Sequence, residues 1–272
     1  MNGSMITASV SMGALQQKLD MLADNFANVN TVGYKRKTAQ FEDILTSVNK
    51  QLDDFNQPGR KTPLGLVGGW GTRLMSMHTD MTQGSLQETG IMTDLAIEGN
   101  GLFEVRTVDG ARAFTRHGPF QLLPDGEDMR VLVTNAGQQV MGAGDQPVRV
   151  PNGYELRIAD DGTLTGVAGD GIQTIELGRL KLVEMTNVEL LQTLADNLYG
   201  VPAGMDPNSA VRELADPGAA GIAVRQGFVE QSNVNMADEM SDLMMVQRAY
   251  QLSARALSSS EQMMGMANSL RG

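Results

Sequence analysis

Few residues in this chain have types and spacing that could do chemistry. There are two histidines, His78 and His117, one glycine-rich turn and a few acidic turns. Two familiar settings for a catalytic histidine are a nucleophile on a sharp Gly-x-Ser-x-Gly turn and a metal held by a His-Glu-x-x-His helix. Neither pattern is present, so both histidines read as surface or packing residues. Gly99-Asn100-Gly101 opens like a dinucleotide fingerprint, yet Glu104 stands where the third glycine belongs. No helix-forming stretch follows to offer its N-terminus to a pyrophosphate. The carboxylates of Asp160, Asp161 and Asp170 could pair as acid and base, or ligate calcium. The alternating acidic spacing and terminal Glu of a calcium loop are missing, and Asp-Gly is the ordinary hairpin dipeptide. With no cysteine, thiolate nucleophiles, thiolate metal sites and disulfides are excluded. The reading is of a chain with no catalytic residues, no metal, no cofactor and no small-molecule substrate.

Composition agrees with that. Aromatics make up 4% of the 272 residues, against 31 glycines and 19 methionines. Such a mixture suits short strands and turns better than an aromatic-walled pocket. The net charge of -11 repels phosphate backbones and anionic lipids, so nucleic acid is not an expected partner. Lys35-Arg36-Lys37 is too short a basic run to reverse this. No stretch approaches the roughly 18 apolar residues of a membrane span, and the N-terminus lacks the pattern of a signal peptide.

The elements are clearest at the chain ends. Ala8, Met12, Leu15, Leu19, Leu22, Phe26 and Val29 recur at alternating spacings of 4 and 3, a heptad seam. The pattern breaks at Asn28 to Gly33, where Asn, Thr and Gly favour a helix end. Phe41, Ile44, Leu45 and Val48 suggest that a helix resumes. Near the other end, Asn235 reads as an N-cap, with Asp238 and Glu239 in the first turn complementing the dipole. Met240, Leu243, Gln247, Tyr250, Ala254, Leu257, Glu261 and Met264 again alternate at 3 and 4. A second stripe of Val246, Ala249, Ser253, Ala256, Met263, Ala267 and Leu270 lies beside them. Two stripes imply more than one neighbour, and the methionines of this tail are side chains that adapt to non-identical partners.

Between the ends the chain reads as antiparallel β. Four Asp-Gly pairs, at Asp109, Asp125, Asp161 and Asp170, mark hairpin turns. Phe103, Val105 and Thr107 alternate before the first pair, and Leu156 and Ile158 precede the third. Gly65 to Gly71 reads as loop or irregular strand. The expected fold is α+β: N- and C-terminal helices with coiled-coil-like seams and a central antiparallel β domain inserted between them. The expected organisation is a helical segment over 1–50 and an irregular or β linker over 51–84. A β-rich domain over 85–215, a return linker over 216–233 and a helical segment over 234–272 follow.

Several stretches resemble one family. Asp24-Asn25-Phe26-Ala27-Asn28-Val29-Asn30-Thr31-Val32-Gly33-Tyr34-Lys35 resembles the Asn-Asn-x-Ala-Asn-x-Asn-Thr-x-Gly-Tyr-Lys signature of the axial rod and hook proteins of the bacterial flagellum, departing at Asp24. Gln226-Gly227-Phe228-Val229-Glu230-Gln231-Ser232-Asn233-Val234 is similar to its Gly-x-Leu-Glu-x-Ser-Asn-Val motif, with Val229 for Leu. Gln247-Arg248-Ala249-Tyr250 matches its Gln-Arg-Ala-Tyr. Asp94 to Phe103 and Phe114 to Phe120 are similar to segments of the rod members, distal more than proximal.

The resemblance implies a structural subunit of the basal-body rod that polymerises into the axial shaft and serves motility, its terminal helices forming a coiled-coil-like inner layer with the β domain outside it. It implies partners that are identical subunits and other axial rod and hook proteins. It implies passage through the flagellar type III export apparatus, without a cleaved signal peptide, to the basal body outside the cytoplasmic membrane. The assembly interface is then expected at Met12, Leu15, Leu19, Leu22 and Phe26, with Tyr34 of the signature, and at Met240, Leu243, Tyr250, Leu257 and Met264. Open alternatives are a hook or proximal-rod subunit of the same family, a secreted β-rich wall hydrolase, and an adhesin with coiled-coil ends.

Overall fold

The structure is a computed structural model that describes residues 2–43, 47–49, 66–68, 71–126, 128–169, 173–202, 204–214, 218 and 221–270. The chain divides into two compact units. One comprises Met1–Ala27, Lys37–His78 and Asn235–Gly272; the other comprises Asn28–Arg36 and Thr79–Val234.

The first unit is built on two helices, α1 (Asn2–Ala27) and α2 (Met236–Ser269). Asn235 caps α2 as its sequence predicts: its side-chain oxygen accepts from the Ala237 N–H at 3.0 Å, satisfying a donor the helix itself cannot. Asp238 and Glu239 fill the first turn. The helix expected to resume over Phe41 to Val48 does not form where the chain is described. Lys37–Asp43 is a strand, paired with Thr72–Thr79, and Val48 lies in a short strand, Ser47–Asn49; Ile44 and Leu45 lie outside the described residues. Four apolar residues are too few to tell a helix face from a strand. Lys37-Thr38-Ala39 instead joins the strand that covers α1: Ala39 packs on the helix pair, and the Lys18 ammonium sits 5.6 Å from the Phe41 ring centre.

The second unit is antiparallel in every pair whose register is described. Its central strand, Gly101–Arg106, pairs with Arg112–Thr115 across the Asp109-Gly110 turn, with Arg106 opposite Arg112. The Asp161-Gly162 turn likewise joins Tyr154–Ile158 to Thr163–Ala168. Asp161 works within that turn: its carboxylate accepts from the Thr163 N–H at 3.0 Å and hydroxyl at 2.8 Å, an Asx turn. Those bonds hold its pKa below the ordinary carboxylate value. The Asp170-Gly171 pair lies outside the described residues. Leu95, Ile97, Phe103, Leu132, Val150 and Leu182 anchor the larger core, with Phe103 and Phe120 edge to face at 5.2 Å.

Chain entry and exit are zipped together in this unit. Leu95–Glu98 pairs with Ala223–Gln226, and Leu86–Glu88 pairs with Phe228–Glu230. Gly118 lies against the first of these strands, where a Cβ would sit 1.7 Å from the Leu95 carbonyl oxygen. Backbone cannot yield to that. Gly118→Ala is therefore expected to cost roughly 3 kcal/mol or more. Gly265→Ala, with nothing within 4 Å of the new methyl, should gain about 0.5–1 kcal/mol from helix propensity. Urea denaturation of the two variants checks both signs.

Candidate assembly interface

The terminal helices meet along a narrow seam. Met21, Leu22 and Val246 are buried there, flanked by half-buried Leu15, Leu19 and Leu243. Leu15, Leu19, Leu22 and Leu243 of the predicted seam are thus brought together. Met12, Tyr250, Leu257 and Met264 are half-buried on the same sides of their helices. Phe26 and Met240 are not part of the seam, being exposed at 36% and 47%. A strict 3.5-residue repeat drifts around a straight helix of 3.6 residues per turn, and Phe26 lies in the last turn of α1. Next to it, Asn25 carries the contact that a heptad reading overlooks. Fully buried, it donates to the Lys37 carbonyl at 2.9 Å and to Glu239 at 3.2 Å, and accepts from the Lys37 N–H at 2.9 Å. One amide thus ties α1 to the strand and to the first turn of α2.

The remaining surface of α2 carries several large apolar side chains. Met244, Met245, Leu252, Met263, Met266 and Leu270 are between 47% and 88% exposed. At 100° per residue they share the face turned away from the buried Val246. Val246 and Leu243 alone do not complete the burial of a 34-residue helix.

Tyr34 lies elsewhere. It is buried in the β-rich unit at 5% exposure, although the sequence placed it in the assembly interface. Beside it lies a feature that the sequence reading missed: two buried cations on one buried carboxylate. Lys35 Nζ donates to Glu230 Oε1 at 2.7 Å, and Arg116 donates to Glu230 Oε2 at 2.8 Å. Side-chain exposure is 1% or less for all three. The Gly84 N–H adds a bond to Glu230 at 2.8 Å, Lys35 also donates to the Thr82 carbonyl at 2.6 Å, and Arg116 to the Gly99 carbonyl. Burial lowers the Lys35 pKa, with Arg116 pushing the same way and Glu230 opposing. Burial likewise raises Tyr199 well above the ordinary phenol value, with Tyr34 pushing the same way. Gly33 closes the site. Its φ is +70°, its N–H donates to the Glu230 carbonyl at 2.7 Å, and a Cβ would lie 2.8 Å from the His117 backbone. The Gly-Tyr-Lys, Phe-Thr-Arg-His-Gly and Val-Glu-Gln-Ser-Asn stretches therefore converge on one charge cluster. The signal available in sequence was the motifs themselves, not any spacing between them.

His117 is half-buried and lines a cleft of about 340 Å³ with Thr134, Asn135, Gln138 and Asp196. Burial lowers its pKa. Asp196 is the only carboxylate on that lining. Among the described residues no three His, Cys, Asp or Glu side chains group to hold a metal ion, and no helix is long and apolar enough to cross a membrane.

Comparison with known proteins matches these regions in turn. Residues 5–35 match the family model for flagella basal body rod proteins, 96–166 that for the flagellar hook protein FlgE/F/G D1 domain, and 225–270 that for the flagellar basal body rod FlgEFG protein C-terminal. Lys35, Arg116 and Glu230 fall one in each span. Over 97% of both chains, the sequence is 33% identical to the flagellar basal-body rod protein FlgG of Borreliella burgdorferi. It is 34% identical, over 96% of both chains, to FlgG of Buchnera aphidicola. To the flagellar hook-basal body complex protein FlhP of Bacillus subtilis it is 33% identical, over 98% of this chain and 99% of that one. A chain so similar to these relatives over nearly its whole length belongs to the flagellar basal-body rod protein family.

Proposed function

We propose that this protein is a structural subunit of the basal-body rod, without catalytic activity, which polymerises through α1 and α2 into the axial shaft. The shaft transmits torque and conducts exported subunits, and the helices form its coiled-coil-like inner layer. The subunit reaches the basal body, outside the cytoplasmic membrane, through the flagellum's own type III export apparatus. It then assembles with identical copies and with other axial proteins. One observation carries this reading: among the described residues, helices of 26 and 34 residues share a buried core as small as Met21, Leu22 and Val246, while α2 turns a row of Met and Leu outward. Contacts between different patches of identical subunits do not close into a dimer; where the rotation between subunits does not close a ring, they propagate as an open helical filament.

Ordering a residue costs about 1–2 kcal/mol of backbone entropy, which so small a core offsets poorly without neighbours. Limited proteolysis of the purified monomer is therefore expected to remove α2 back to about Asn235 before any cut falls between Leu95 and Glu230. In isolated rods α2 should resist the same treatment. A monomer whose α2 survives as long as its β-rich unit would contradict the proposal.

A further inference from the structure

The outer faces of the two helices differ in charge as well as in shape. On α2 the face opposite Val246 carries Arg248 and Arg255 among Met244, Met245, Leu252 and Met266, and both arginines are exposed. Among the described residues neither makes an ion pair or a side-chain hydrogen bond within the chain. Seven residues apart, they lie on one side of the helix about 10 Å from each other. The acidic residues of α2 lie off this face: Glu239 is buried, Asp242 half-buried, Asp238 is in the first turn, and Glu261 falls on the side of the helix toward Val246, about 60° from it at 100° per residue. On α1 the exposed charges are both negative. Asp20 and Asp24 stand on the side away from Leu22, one turn apart, among Ile6, Gly13 and Gln17. Asp24 is bridged to Lys37 at 3.1 Å, with 61% of its side chain exposed, so that pair contributes little.

We infer that the occupant of the α2 outer face is the α1 outer face of the next copy of this chain, with Arg248 and Arg255 meeting Asp20 and Asp24. The inference rests on the rod-subunit reading and adds to it which faces touch and in what sense. Methionine and leucine side chains of α2 would pack over the short side chains around Gly13, and the charges would set register and polarity. An interface of this kind is heterologous, since α2 of one copy meets α1 of another, and it uses each face once per subunit. Complementary charge selects the partner and suppresses the alternatives: α2 against α2 would oppose arginines, and α1 against α1 would oppose aspartates.

Charge reversal in cells that make only the altered full-length chain tests this. Arg248→Glu with Arg255→Glu sets carboxylates against Asp20 and Asp24. Asp20→Arg with Asp24→Arg sets arginines against arginines. Each pair of changes is expected to cut swimming and the yield of intact rods about tenfold or more. The chain with all four changes should recover most of the loss, and so should a cell making both doubly altered chains, because the two can alternate along the filament. Circular dichroism and urea melts of the purified monomers check that all variants fold alike. For a double variant that does not, Arg248→Gln with Arg255→Gln takes its place, with weaker and less salt-sensitive rod assembly expected. Full swimming by either double variant, or two defects that the combinations leave unrelieved, would overturn the pairing. Either result would leave the rod-subunit reading standing, since that depends on whether the unaltered chain builds a rod at all.

Discussion

Leu22→Asp is expected to abolish rod formation and motility while the β-rich unit remains folded. Leu22 is 1% exposed and belongs to the small core that joins α1 to α2. An aspartate there must carry an ion into an apolar seam or be protonated, at a cost of several kcal/mol. Removing the leucine also forfeits about 1.5–3 kcal/mol of burial. In a polymer the penalty recurs with every added subunit. Leu19→Asp and Leu257→Asp, at half-buried positions of the same helices, should act in the same direction and less strongly. His117→Ala and Asp161→Asn serve as controls, since the first lines a shallow cleft and the second closes a hairpin. Swimming assays and electron microscopy of basal bodies separate the two groups. A motile Leu22→Asp strain would contradict the seam.

Replacing Glu230 should have the largest effect on the β-rich unit. Glu230→Ala strands Lys35 and Arg116 as buried cations without their carboxylate, and leaves the Gly84 N–H without its acceptor. Breaking a buried pair from one side costs about 3–5 kcal/mol, a large part of the roughly 5–15 kcal/mol that holds a domain together. Glu98→Gln, which breaks an exposed pair with Arg225 at 3.1 Å, should cost less than about 1 kcal/mol. Lys35→Met should be milder than Glu230→Ala, because it removes a cation whose burial is itself unfavourable. The sign of the pH dependence follows from the lowered Lys35 pKa. Between that value and 10.5 the folded chain binds fewer protons at Lys35 than the unfolded chain, so Lys35 makes stability rise with pH in that window. Lys35→Met should flatten the rise, as urea melts across the alkaline range would show.

Local rules made part of this molecule legible. The 4-3 spacing of Leu15, Leu19 and Leu22 announced a helix and its inner side, because helix periodicity is written in consecutive residues. Asp109-Gly110 and Asp161-Gly162 announced hairpins, because the turn geometry demands those residue types. Asn235 announced a helix start for the same kind of reason. What stayed hidden depends on partners distant in sequence. Lys37–Asp43 is a strand because Thr72–Thr79 pairs with it, and no residue between 37 and 43 declares that. Lys35 and Glu230 are 195 positions apart, and Arg116 and Glu230 are 114 apart; no periodicity connects them. Asn25 looked like one more polar residue beside a seam, yet its amide joins three elements. Each of these reads as a fragment of a motif in the sequence, and only the fold gives the fragment a physical task.

Electron cryo-microscopy of rods isolated from cells in which this chain is the only copy of its kind would show whether α1 and α2 build the shaft. Density for α1 and α2 is expected inside the shaft, with the Met244 to Met266 face of α2 covered by a neighbouring subunit. A rod that lacks this chain, or one in which that face of α2 points into solvent, would contradict it.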